Sequence, residues 1–381
     1  MPGARREVTV GVVGAGQLAL MMGQARHDAG VRLVVLAASP EDPAIAVADE
    51  VLYGTGVEES ALDALAARCD VVTFDHELVD LDALARLEAR GVAVRPSASA
   101  LRFAADKAHQ RRALAAAGLP VPRFLVLGPD GDAAAALDAL GATVVLKRAR
   151  GGYDGRGVAF PTSRDEALAT IAEWTSAGEV VVEERLDLLG EAALVLGRSL
   201  AGDLAPYPLV DTRQANGMCV ETRYPSRLSP HLRAEAATLG ERVAAVVQPI
   251  GVMAIELFVT PQGLSVNEVA LRPHNTAHWT IEGTTQGQFA QHLRAVAGLA
   301  LAPVAVTAPC AVMVNLVGGS TPPEPAPMVA GVAVHDYAKA WRPGRKLGHV
   351  TALGDDPDEV RVRAWESARR LGAPAEEGAW P

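Results

Sequence analysis

The sequence predicts an α/β protein of more than one domain, and three observations carry that expectation. Apolar, β-branched runs at Val8–Val13, Arg32–Ala37 and Val71–Phe74 alternate with helical patterns, which is the signature of βαβ units. The chain has 381 residues, more than one ordinary core accommodates, so two or three domains are expected. Finally, the stretch from Lys147 to Gly157 sets four glycines and four cations directly behind the apolar run Thr143–Leu146. That composition suits neither helix nor strand and reads as a loop leaving a strand.

Composition narrows the function classes. Hydrophobic residues make up 49% and charged residues 21%, as in a soluble globular protein. A formal net charge of −10 argues against nonspecific nucleic-acid binding, whose affinity comes from neutralising phosphates. Cys69, Cys219 and Cys310 lie far apart with no CxxC pair, so neither a disulfide framework nor a thiolate zinc site is expected. A reducing cytoplasm is the simpler setting. Met1–Val8 leaves no room for the apolar region of a signal peptide, and no apolar run approaches the roughly 20 residues of a membrane span.

Along the chain, Val8–Val13 reads as a strand and Gly14-Ala15-Gly16-Gln17-Leu18 opens a helix, a β-turn-α unit of the doubly wound kind. A nicotinamide-binding reading of Gly14-x-Gly16 lacks the third glycine and an acidic residue after Val34-Val35-Leu36, so a turn positioning another anion is favoured. Helices are expected at Glu59–Ala67 and Leu81–Arg90, completing a domain over residues 1–97. One Ala-rich helix is expected from Ala98 to Gly118. Strands at Val144–Lys147, Val180–Glu184 and Ala192–Leu196 flank the glycine-rich loop as a small lid. A helix over His231–Val247 precedes two strands, Gly251–Val259 and Leu264–Val269, joined by Thr260-Pro261-Gln262-Gly263. The proline-rich segment Gly318–Val329 is read as bounding a short C-terminal unit.

Three clusters carry the chemistry. In the loop, glycines let backbone N–H groups approach anionic oxygens while Lys147 and Arg156 supply charge, which suits a polyphosphate; a hairpin turn with solvated cations is the plainer alternative. No Gly-Lys-Ser/Thr follows, so the loop is not a Walker loop. In the hairpin, Glu256 and Asn267-Glu268 interrupt apolar strands, where charge is costly unless compensated, and two carboxylates with an amide suit Mg²⁺. An exposed-face pair remains the other reading. Arg272-Pro273-His274-Asn275 gathers polar groups on a restrained backbone, whereas Lys339, Arg345, Lys346 and His349 fit either a solvated surface or a substrate phosphate.

With these motifs in order, the chain resembles the ATP-grasp superfamily and, within it, the N5-carboxyaminoimidazole ribonucleotide synthetases. The resemblance rests on Gly14-x-Gly16-Gln17-Leu18, Thr73-Phe74-Asp75-His76-Glu77, Gly152-Tyr153-Asp154-Gly155-Arg156-Gly157, Val182-Glu183-Glu184, Tyr207-Pro208-Leu209-Val210, Asn267-Glu268, Arg272-Pro273-His274-Asn275, Gln288-Phe289-x-Gln291-His292 and Arg342-Pro343-Gly344-Arg345-Lys346. It implies an ATP-grasp fold: an N-terminal Rossmann-like preATP-grasp domain (1–97), an ATP-grasp domain (98–310) with a central lid over about 120–190, and a small C-terminal β-rich unit (311–381). It implies ATP held by Lys107, Lys147, Gly152, Tyr153, Asp154, Gly155, Arg156, Gly157, Glu183, Glu184, Leu186, Glu191, Gln214, Asn267 and Glu268, with Mg²⁺ on Glu256 and Glu268. Gln17, Leu18, Glu77, Tyr153, Arg156, Arg272, His274, Asn275, Lys339, Arg345 and Lys346 would surround aminoimidazole ribonucleotide and bicarbonate. The catalytic groups implied are Lys147, Asp154, Arg272 and His274, in a cytoplasmic homodimer.

The chain departs from the family pattern at Ala19, Leu20, Leu78, Gly190 and Val158, and the Glu-x-Glu-His motif reads Asp75-His76-Glu77-Leu78. These positions bear on the acceptor substrate more than on ATP. Two other readings therefore stand beside carboxylation at this point: a paralogue acting on another amine or carboxylate, and a noncatalytic nucleotide-binding protein.

Overall fold

The computed structural model describes residues 6–141, 143–152, 157–215, 217–320, 322 and 327–373. Strands β1 (Val8–Val13), β2 (Val31–Ala37), β3 (Glu50–Tyr53) and β4 (Val71–Phe74) form a parallel sheet in the order β3-β2-β1-β4. Helices α1 (Gln17–Ala29) and α2 (Glu59–Ala66) connect β1 to β2 and β3 to β4, and α3 (Leu81–Ala89) follows β4. The strands are nearly continuous in apolar residues because both faces are covered, as parallel sheets require.

The helix expected from Ala98 to Gly118 is two helices, α4 (Ala98–Ala105) and α5 (Lys107–Ala116). Asp106 breaks the run: it takes an extended backbone, caps the His109 N–H, and binds Arg150 at the root of the glycine loop. An aspartate that caps gains more than one left inside a helix.

The lid sheet holds β5 (Phe124–Leu127), β6 (Val144–Arg148), β7 (Val158–Ala159) and β8 (Val180–Glu184) in the order β5-β8-β6-β7, backed by α6 (Ala133–Leu140) and α7 (Arg164–Thr175). The strand read at Ala192–Leu196 belongs elsewhere. It is β9 (Gly190–Arg198) of the large sheet, its nine residues matched in register by the hairpin strand that follows.

That large sheet also takes in β10 (Leu204–Pro206), β11 (Val210–Ala215) and β12 (Met218–Tyr224). After α8 (Pro230–Val247) come β13 (Gly251–Thr260) and β14 (Gly263–Ala270). Then follow α9 (Thr280–Gly283), α10 (Gln288–Val296), β15 (Cys310–Val317), β16 (Val332–Asp336), β17 (Lys346–Gly354) and α11 (Pro357–Arg370). The strand order is β14-β13-β9-β11-β12-β15-β17-β16, with β10 on β9. The proline-rich segment thus falls between β15 and β16 rather than at a boundary, and the C-terminal strands extend the central sheet through the β12–β15 pairing. Among the described residues, no helix is long and apolar enough to cross a membrane.

Two features lock the N-terminal sheet to the central one. A single apolar cluster runs from Leu36 and Phe74 through Leu101 and Leu114 to Leu194, Ile255 and Leu257. Buried His292 accepts the Val252 N–H at Nδ1 (3.0 Å), so its proton is on Nε2, which donates to Thr73 Oγ1 at 2.9 Å. The cleft between the two sheets therefore has walls of fixed spacing.

Candidate active site

The hairpin of β13 and β14 forms the acidic wall. Glu256 and Glu268 are register partners across the two strands, and Asn267 is the extra residue of a bulge at that point. In a regular strand Asn267 and Glu268 would face opposite sides; the bulge re-aims one of them so both serve the same face. The sequence signals it: buried residues alternate at Leu264 and Val266, then resume at Val269. Burial and the like charges of Glu268 and Glu191 push the Glu256 carboxyl up to about 8. Burial raises Glu268 as well, but Lys107, 3.1 Å away, outweighs it and draws the carboxyl down. Burial also lifts Glu191 to about 7.

This donor set fits a magnesium ion. The oxygens are hard, their mutual repulsion is relieved by a divalent cation, and two carboxylates are what such a site uses when phosphate and water complete the shell. Among the described residues no group of three or more His, Cys, Asp or Glu gathers as a metal site, so the remaining ligands would come from the substrate.

Behind the hairpin lies a buried charge triad. Lys147 Nζ, at the end of β6, sits 2.8 Å from Glu183 Oε2 and 3.1 Å from Asn267 Oδ1. Arg111 of α5 meets Glu183 Oε1 at 2.6 Å and donates to the Asn267 carbonyl, also at 2.6 Å. Burial alone would raise the Glu183 carboxyl, yet the two cations hold it down to about 2. Burial lowers the Lys147 pKa while Glu183 opposes that shift. Two cations on one carboxylate leave an excess positive charge, which an anionic group would neutralise. Sequence reasoning did not assign Arg111; an arginine on an apolar, buried helix face was the available signal.

The opposite wall comes from the N-terminal sheet. Gly14 has φ +101°, and an added Cβ would stand 1.8 Å from Asp75 Oδ1, so glycine is required there. Gly16 N–H donates to Asp75 Oδ2 at 2.7 Å. The anion held by this turn is thus the protein's own Asp75, whose pKa burial raises and whose Oδ1 accepts no hydrogen bond but lies 3.7 Å from His76 Nε2. Two residues on, Glu77 grips Arg272 through Nε (2.8 Å) and Nη2 (3.3 Å), tying the two walls together.

Between the walls lies a cleft of about 1460 Å³. Of the residues expected at the site, Gln17, Leu18, Glu77, Gly152, Gln214, Glu256, Glu268, Arg272, His274, Asn275 and Lys346 line it. His274 Nε2 is 3.9 Å from Glu256, its Nδ1 is bonded to Thr276, and Asn275 exchanges amide hydrogen bonds with Asn315. Lys339 reaches the cleft edge through Gln17 at 2.5 Å. Lys107, Lys147 and Asn267 stand just behind the acidic wall, while Leu186 and Glu191 sit half-buried at the start of β9 and the loop before it.

Some expected residues are not brought to the cleft. Arg345 donates to the Ala340 carbonyl of its own loop at 3.0 Å, because the turn around Gly344 folds it back. Glu184 is held by the backbone and guanidinium of Arg123 on the adjoining edge of the lid. Gly157 packs on Gly152 and Arg148 at the loop base. Tyr153, Asp154, Gly155 and Arg156 lie outside the described residues. Of the departures from the family pattern, Asp75 and Leu78 line the cleft; Ala19 and Leu20 are buried in the core of the N-terminal domain.

The chain is similar to known proteins along nearly its whole length. Residues 8–105 match a ribonucleotide synthetase preATP-grasp domain, 112–289 an ATP-grasp domain, and 311–363 a phosphoribosylaminoimidazole carboxylase C-terminal domain. An N5-carboxyaminoimidazole ribonucleotide synthase of Mycobacterium tuberculosis is 40% identical, covering 95% of this chain and 87% of its own length. The chain belongs to the N5-carboxyaminoimidazole ribonucleotide synthetase family. A relative of the same name from Synechococcus elongatus is 37% identical over 90% of this chain and 88% of its own. The Thermotoga maritima synthetase structure has a TM-score of 0.86 at 30% identity, covering 97% of this chain and 100% of that one. The Aspergillus clavatus synthase, solved with ADP and 5-aminoimidazole ribonucleotide, has a TM-score of 0.85 at 28% identity, covering 96% and 98%.

Proposed function

We propose that this chain carboxylates 5-aminoimidazole ribonucleotide on its exocyclic amine, using ATP and bicarbonate and releasing ADP and phosphate. The observation that carries the reading is the facing arrangement of the Glu256–Glu268 hairpin, the Lys147 triad and the Glu77–Arg272 clamp across one cleft, in a chain of this family.

A bicarbonate oxygen bonds to the γ-phosphorus as the bond to the β,γ-bridging oxygen breaks, giving carboxyphosphate and ADP. The amine nitrogen then bonds to the carboxyl carbon, the C–O bond to phosphate breaks, and the nitrogen loses a proton. Phosphoryl transfer asks the protein for in-line positioning and for cations on the developing charge. Lys147 and Lys107 meet that need from behind the hairpin, held by Glu183, Asn267 and Glu268. Glu256 and Glu268 would hold Mg²⁺, which neutralises phosphate charge when bound. Arg272, fixed by Glu77, faces the acceptor, and Asp154 and His274 are the candidates for the amine proton. A lid closing over the loop would keep water from the labile anhydride.

For the paralogue reading, the departures at Ala19 and Leu20 are buried in the core, while the departure at Leu78 lines the cleft; the 40% identity to a synthase of this name favours carboxylation. The homodimer and the cytoplasmic setting that the resemblance implies belong to the same proposal, and sedimentation checks the first. Coupled-assay release of ADP tests the reaction. It should require both bicarbonate and the ribonucleotide, and ADP release unaffected by either would overturn it.

A further inference from the structure

Deepening the proposed function, and resting on it for the identity of the ligand, we infer that His278 donates a neutral imidazole N–H, from Nε2, to an oxyanion at the acceptor end of the cleft. Gln288 is the positioning residue that fixes the tautomer.

The orientation of the Gln288 side-chain amide is forced by its partners. The His274 backbone N–H donates to the Gln288 side-chain amide at 2.8 Å, so the atom it meets must be Oε1. Gln288 Nε2 then faces the His274 carbonyl at 2.8 Å and His278 Nδ1 at 2.9 Å. Its two hydrogens satisfy both, and Nδ1 is left as an acceptor. A neutral ring accepting at Nδ1 carries its proton on Nε2. Gln288 is fully buried and its own N–H is held by Thr280 Oγ1 at 3.1 Å, so the amide has no room to flip.

The ring is fixed in plane as well as in tautomer. Phe289 packs on it with ring centroids 5.4 Å apart, and His349 lies 4.9 Å away on a stack continued by His335. His278 is 1% exposed, and it borders the cleft alongside His274, Arg272 and Lys346. Among the described residues the one hydrogen bond of the ring is that at Nδ1. Burial, together with the positive surroundings of His274, Lys346, His335 and Arg272, keeps the imidazole pKa well below its usual value.

A neutral donor of this kind stabilises negative charge without surrendering its proton, and its low-dielectric site strengthens the interaction. Two oxyanions of the proposed reaction fit: the phosphate of the ribonucleotide and the carboxylate derived from bicarbonate. The shared chemistry is an oxygen anion flanked by cations, and kinetics separate the two sources.

The test has a spectroscopic and a kinetic part, both on the full chain. In ¹⁵N-histidine-labelled protein the resonance missing from His278→Phe should show Nε2 protonated and Nδ1 bare in the wild type. Gln288→Glu, which presents a carboxylate to Nδ1, should reverse that pattern. In steady state, His278→Phe should raise one KM about tenfold, the loss of roughly one hydrogen bond to a charged group, with the KM for ATP unchanged. A rise for the ribonucleotide assigns the phosphate, and a rise for bicarbonate assigns the carboxylate. His278→Gln, which restores a donor, should recover part of the effect. Wild-type protein protonated at Nδ1, or an His278→Phe variant with both KM values unchanged, overturns the inference. Should the wild type release no ADP with these substrates, the proposed function fails while the tautomer result stands separately.

Discussion

Replacing Glu183 by glutamine probes the buried charge arrangement that fixes Lys147. The carboxylate is 2% exposed and is held between Arg111 Nε at 2.6 Å and Lys147 Nζ at 2.8 Å. Removing its charge leaves two cations facing each other away from water. The magnitude follows from the charges around it: Lys147 and Arg111 hold the carboxyl down to about 2 instead of 4.5, and at about 1.4 kcal/mol per unit the gap corresponds to about 3 kcal/mol. Removing one member of a buried ion pair costs of the same order, about 3–5 kcal/mol. Because the folded pKa is depressed, this stabilisation is present above pH 4.5 and is lost as the pH falls toward 2.

Lys147→Met is the matched control. It removes one cation but leaves Glu183 paired with Arg111, so most of the stability should remain while ATP affinity falls. Urea unfolding of the wild type and both variants at neutral pH, with and without ATP, measures the difference. The reasoning is refuted if Glu183→Gln unfolds within about 1 kcal/mol of the wild type, or if Lys147→Met is destabilised as much as Glu183→Gln.

Four further outcomes follow from the geometry. Gly14→Ala should cost at least about 1–2 kcal/mol from its backbone conformation alone, before the clash with Asp75, and should lower the thermal midpoint of the N-terminal domain. Burial and the neighbouring carboxylates push Glu256 up to about 8, so a magnesium ion bound there would displace a proton below that pH; isothermal titration should show affinity rising with pH up to about 8, and a Glu256→Gln variant should lose the dependence. Arg272→Lys cannot keep both contacts to Glu77, so the KM for the ribonucleotide should rise about tenfold or more while ATP binding holds. Burial holds His292 down at about pH 3, so stability should fall as the pH drops below about 6.5 toward 3, and Thr73→Val should weaken the lock between the two sheets.

The sequence by itself determined the elements whose signals are local. The alternation of β1, α1 and β2, the hairpin turn at Pro261–Gly263 and the glycine-rich break after Lys147 are all matters of neighbouring residues, and they stand where the patterns put them. Part of the cleft lining was also legible: Glu256 and Glu268 because charge inside apolar strands demands a partner, and Arg272 and His274 because polar groups cluster beside Pro273. Chain order could not say which sheet a strand joins. Thus β9 entered the central sheet instead of the lid, and the C-terminal strands merged with β12, since strand pairing is a contact between distant residues. For the same reason, only the tertiary structure decided that Asp106 splits a helix to hold Arg150, that Arg111 and Glu183 fix Lys147, that Arg345 turns away from the cleft, and that Gln288 sets the proton on His278. A side chain's partner depends on the angle and distance at which separately folded segments meet, and those are set by packing.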